Sequence, residues 1–106
     1  MTRLAVHKYP LAGVGPGDNA WLPEGAVLLD VGIQVIDIVE QVVVWALVEQ
    51  GARTVERALL VWPTGPNLPA PPAGREWSHV GTAQTSIGYV VHVFDAGEDP
   101  GFWSGR

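Results

Sequence analysis

Thirteen glycines and nine prolines divide this chain of 106 residues into runs too short for long helices. Between these breakers no window sustains an apolar stripe at i, i+3 and i+4, whereas valine-rich stretches of strand length recur about every ten residues. The pattern predicts strands at about 3–11, 26–35, 42–49, 54–62, 77–84 and 87–95, with a short extended piece, AWLP, leading into a turn at PEG. GVGPGDN (13–19) reads as a loop, and EQGAR (49–53) as a turn. IDIVEQ (36–41) joins two strands without the Asn-Gly or Asp-Gly of a tight hairpin, so its turn is not placed. PTGPNLPAPPAG (63–74) holds five prolines, cannot donate a regular ladder, and reads as an irregular surface loop. The expected fold is all-β: a small antiparallel barrel or sandwich of about six strands, with little helix beyond a short helix or 3₁₀ turn near 72–77.

Length fits one domain, taken as 1–96, followed by a flexible C-terminal tail over 97–106. Charged residues make up 16% of the chain against about 25% in a typical domain, and the net charge is −5. The six basic residues are scattered as Arg3, Lys8, Arg53, Arg57, Arg75 and Arg106. Duplex binding needs several cations placed along phosphates, so no nucleic-acid partner is expected, and the acidity disfavours an anionic membrane surface. No apolar run approaches the roughly 18 residues of a bilayer span. The opening MTRLAVHKYPLAG lacks the apolar core of a signal peptide, so the protein is expected to act where it is made. Absence of cysteine removes disulfides, thiolate metal sites and cysteine nucleophiles.

The strand over 42–49 is apolar on both faces: Val42, Val44, Ala46 and Val48 alternate with Val43, Trp45 and Leu47. The strand over 87–95 nearly matches it. An antiparallel sheet exposed on one side should turn polar on that side. With no long helix to cover the second face, another copy of the chain is the expected cover. Val43, Trp45, Leu47, Tyr89 and Val91 are the candidate oligomer interface, and a homo-oligomer is the expected state.

Residues that might carry chemistry are isolated. His7, His79 and His92 lack any HxH or HExxH spacing. His79 and His92 lie on sequential strands that can pair, and with a carboxylate such as Asp95 they are the one candidate metal or acid–base group. Isolated histidines are more often satisfied by a neighbouring carbonyl, so the expectation is no metal site, no cofactor and no catalytic residue. Thr64 and Thr82 lack the context of an activated nucleophile. The acidic pairs Asp37/Glu40 and Glu98/Asp99 read as solvated loop carboxylates. Five tryptophans are the oddest feature of the composition. Trp62 and Trp77 bracket the proline-rich loop, so Trp62, Thr64, Gly65, Trp77 and His79 form a candidate ligand rim. Equally, the two rings can simply pin the loop.

HKYPL, LPEGAVLLDVGIQV, VVWALVE, WPTG and HVGTAQ…GYVVHVFD, taken in that order over about residues 5–95, resemble a family of short bacteriophage and prophage proteins of unknown function. This chain departs from the family pattern in a longer segment between Val35 and Val42 and an added tail after Asp95. The resemblance implies a phage-encoded protein in the cytoplasm of an infected bacterial host, and supplies no mechanism. The expected function is that of a non-enzymatic, self-assembling accessory protein, with a host protein as a candidate partner. The alternatives are a binder that sequesters a nucleotide-like small molecule, a small hydrolase or metal enzyme built on His79 and His92, and a minor virion structural protein.

Overall fold

The computed structural model describes residues 3–11 and 20–98; the loop read at 13–19 and the tail beyond Glu98 lie outside them. Seven strands run β1 (Leu4–Pro10), β2 (Ala20–Pro23), β3 (Val27–Ile36), β4 (Val39–Glu49), β5 (Thr54–Pro63), β6 (Ser78–Gln84) and β7 (Val90–Glu98). They form two antiparallel sheets, ordered β1-β4-β3 and β2-β5-β7-β6, in an open sandwich-like arrangement rather than a closed barrel. The six expected strands are present and AWLP adds the seventh, pairing with β5 from Ala20↔Arg57 to Pro23↔Thr54. No helix occurs among the described residues; at 72–75 there is only a turn, closed by Arg75 N–H on the Pro72 carbonyl. β7 continues through Glu98, whose carboxylate accepts the Gly25 N–H at 2.6 Å, so the strand runs past the expected start of the tail.

Alternation along the strands sorts side chains into an interior and two outer faces. The interior holds Leu22, Val31, Val44, Ala46, Val48, Leu59 and Val93, all buried. The sheets approach closely where Gly81 faces Val31: a Cβ on Gly81 would lie 3.0 Å from the valine Cβ. β6 needs glycine there to let the two layers meet.

The even positions of β5 point the other way, yet Ala58 and Leu60 are fully buried. The proline-rich loop is tied down beside them. Trp62 Nε1 donates to the Pro66 carbonyl at 3.2 Å, Trp77 Nε1 to that of Pro69 at 2.8 Å, and Arg75 Nη1 to that of Ala96 at 2.9 Å. Pro72 is among the most deeply buried side chains. Prolines cannot extend a ladder, but their rings are apolar, and here the segment closes a second small core over the outer face of β5 and β7. That sheet therefore finds its cover within its own chain.

Candidate functional site

Of the candidate rim residues, Thr64 and His79 are joined by a polar chain that runs through His92 and Thr82. Thr64 Oγ1 lies 2.8 Å from His92 Nε2, His92 Nδ1 lies 2.9 Å from Thr82 Oγ1, and Thr82 Oγ1 lies 3.0 Å from His79 Nε2. The register places these groups: Trp62↔His92 between β5 and β7, then Thr82↔His92 and His79↔Phe94 between β6 and β7. The two imidazoles stand 6.1 Å apart, and His79 meets the edge of Phe94 at 5.4 Å. Trp62 and Trp77 spend their indole N–H groups on loop carbonyls, which is the pinning role. Gly65, at φ 116°, takes the left-handed turn that carries the chain away from Thr64.

With both imidazoles neutral, three arrangements satisfy this chain, because a threonine hydroxyl donates once and accepts twice. Thr64 donates to His92, His92 to Thr82, and Thr82 to His79; or all three bonds are reversed; or Thr82 accepts from both histidines while Thr64 donates to His92. Thr64 and His92 thus stand as a nucleophile and base would, but what orients the imidazole is a hydroxyl. A neutral hydroxyl stabilises an imidazolium far less than a carboxylate does. Asp95, the carboxylate considered with this pair, sits opposite Leu59 on the interior face and pairs with Arg57. Among the described residues no group of three or more His, Cys, Asp or Glu side chains is placed to hold a metal ion. His7 is separate from this chain, on β1 beside Tyr9.

At one end of the sandwich the β3–β4 and β6–β7 turns stand side by side. The Glu40 carboxylate accepts the Ser86 N–H at 3.0 and 3.2 Å and also the Ser86 hydroxyl, tying the two turns together. Those hydrogen bonds, the hydroxyl's foremost, hold the Glu40 carboxyl below its ordinary value. Because the folded state favours the charged form, the contribution is present above the ordinary value of 4.5 and is lost as pH falls through the lower folded value. Melting temperatures of the wild type and Glu40→Gln are expected to differ at neutral pH and to converge in acid; a constant gap from neutral pH to below that range would contradict this role.

Two apolar grooves open at this end and share Ile87 and Tyr89. One, of about 440 Å³, is lined by Pro63, Thr64, Ile87, Gly88, Tyr89 and Val90. The other, of about 570 Å³, is lined by Ile38, Val39, Glu40, Ile87, Tyr89 and Val91, with Thr85. Asp37 and Ile38 form the two-residue β3–β4 turn, with φ of 52° and 64°. Such a turn favours Asn-Gly, because both central residues need positive φ. Aspartate tolerates that region; a β-branched residue there is an outlier, at a cost of roughly 1–2 kcal/mol. Ile38 is also 97% exposed, and Ile87 is 82% exposed. Isoleucines at two turn positions, in IDIVEQ and in TSIGY, were the sequence signal for this surface.

The candidate interface residues do not form one surface. Val43, Trp45 and Leu47 lie on the outer face of β4, with Val43 fully buried and the other two half-buried. The Trp45 ring lies over Gly32, where a Cβ would come within 2.7 Å of it. Val91 faces the interior, and Tyr89 stands exposed at the far turn. What the outer face of β1-β4-β3 does expose is a row across three strands, Val6↔Leu47↔Val27, flanked by Leu4. Leu4, Val6 and Val27 are each more than half exposed. Lys8 and Asp30 sit on either side of Trp45 in the next row.

The molecule is therefore an all-β, two-sheet domain with uncovered apolar surface and no assembled metal cluster among its described residues. Residues 2–101 match a family described as a domain of unknown function (DUF7352), and the chain belongs to that family. No curated protein and no solved structure matches it. No helix among the described residues is long and apolar enough to cross a membrane.

Proposed function

We propose that this protein is a phage-encoded accessory factor acting without chemistry of its own, by assembling with copies of itself and engaging a host protein in the bacterial cytoplasm. The phage setting rests on the ordered motifs from HKYPL to GYVVHVFD. The assembly rests on one observation: the outer face of β1-β4-β3 leaves Leu4, Val6 and Val27 exposed around Leu47, with nothing in the chain's described residues laid over them. Contiguous apolar patches on a sheet face mark association surfaces. Lys8 and Asp30, flanking Trp45, give that face both signs of charge, which suits a two-fold contact of the face with itself.

Light scattering on size-exclusion eluate at low micromolar concentration tests this. The wild type is expected at a multiple of 11.3 kDa, and Val6→Glu at the monomer mass with its melting temperature little changed. Val43 is the wrong residue for the test, since its side chain is fully buried and its substitution would probe folding. A wild-type monomer would overturn the proposal. The groove beside Thr64 favours the small-molecule reading second: none of its lining residues is basic, so it suits a flat uncharged ring better than a nucleotide phosphate. A virion role would use the same assembling face, and the neighbouring genes would separate it from an accessory role.

A further inference from the structure

We propose that the turn end of the sandwich, built from Ile38, Val39, Ile87 and Tyr89, is a second docking surface whose occupant is a short apolar segment of a partner protein carrying lysine or arginine. The inference rests on the interaction-protein reading but not on self-assembly, since this end is remote from the Val6–Leu47–Val27 row. Three observations carry it. Ile38 stands in a left-handed turn position that suits glycine, and its side chain is 97% exposed. Neither feature helps this fold, and residues locally unfavourable in two independent ways collect at functional surfaces. Next, the two turns are fixed relative to one another by Glu40 on Ser86, so the grooves either side of Ile87 and Tyr89 are preformed. A preformed surface loses little freedom on binding.

Charge then selects the occupant. Among the described residues the ionised groups of this end are Asp37 and Glu40. The described cations lie elsewhere: Lys8 on Gln34, Arg53 on Glu24, Arg57 on Asp95, Arg75 on the Ala96 carbonyl, and Arg3 beside Gln50 at the other end of β4. A second copy docked end to end would bring like carboxylates together. A bilayer surface, negative in bacteria, would be repelled by the same groups. An apolar segment with a basic residue satisfies both the grooves and the field.

The test uses the full chain and short synthetic peptides of leucine with lysine, against the same peptides with glutamate for lysine. Binding is read by backbone amide shifts and by calorimetry. Leucine–lysine peptides are expected to shift residues 37–40 and 85–91, and leucine–glutamate peptides to bind at least about tenfold more weakly. Replacing Asp37-Ile38 with Asn-Gly is expected to raise the melting temperature by about 4–8 °C while weakening the peptide at least about tenfold. Tyr89→Ser is expected to weaken it without raising the melting temperature. The same separation should hold in the Val6→Glu chain, so failure of self-assembly and failure of this surface are distinguishable. Equal affinity for both peptide charges, undiminished binding by the Asn-Gly chain, shifts centred elsewhere, or uptake onto phosphatidylcholine vesicles that Ile38→Gly abolishes would each overturn it.

Discussion

Asp95→Ala is expected to lower the free energy of unfolding by about 3–5 kcal/mol, a large part of what holds a small domain together. Asp95 and Arg57 form a two-pronged pair, Nη2–Oδ2 at 2.8 Å and Nε–Oδ1 at 3.1 Å, with side chains only 16% and 11% exposed. Each has a further partner. Arg57 Nη1 donates to the Ala26 carbonyl at 2.7 Å, and Asp95 Oδ1 accepts the Gly97 N–H at 2.8 Å. One cluster thus ties β5, β7 and the segment entering β3. Removing the carboxylate strands a guanidinium where water reaches it poorly, and that uncompensated charge is the larger part of the loss. Replacing both residues by apolar ones of similar size, Arg57→Met with Asp95→Leu, is expected to cost far less than Asp95→Ala alone. Urea unfolding of the two single variants and the pair measures the difference. A single-variant loss below about 1 kcal/mol would place the pair among ordinary surface ion pairs.

In the sequence Arg57 is one of six scattered basic residues, and its phase with Leu59 and Val61 becomes informative only once that face is known to be the interior. Its partner was not visible, because the two lie 38 residues apart. The same division runs through the molecule. Glycine and proline punctuation made the strands legible, and sequential pairing made the approach of His79 and His92 legible. The Thr64–His92 contact was not, since it depends on how β5 pairs with β7 across the proline loop. The β3–β4 turn escaped because its residues are Asp-Ile where turn chemistry favours Asn-Gly. The stretch 87–95 reads as apolar on both faces. In the fold Val93 enters the main core, while the opposite side of this sheet receives the loop.

Leu60→Ala is expected to cost about 2–5 kcal/mol, as much as Leu59→Ala, although the two side chains point to opposite sides of β5. Both are fully buried. Leu59 belongs to the core between the sheets, and Leu60, opposite Phe94, lies on the face that the proline-rich loop covers. Truncation at either site removes buried methyl groups and leaves a cavity that the surroundings refill only in part. The distinguishing outcome is local. Loss of Leu60 is expected to loosen the proline-rich segment, which is also tied down by hydrogen bonds from Trp62, Trp77 and Arg75. Limited proteolysis under native conditions should therefore cut within 64–77 faster in Leu60→Ala than in Leu59→Ala at matched stability. Equal cutting would mean that Leu60 contributes nothing to holding the loop. Faster cutting confined to Leu60→Ala would establish the loop as the lid of a second core.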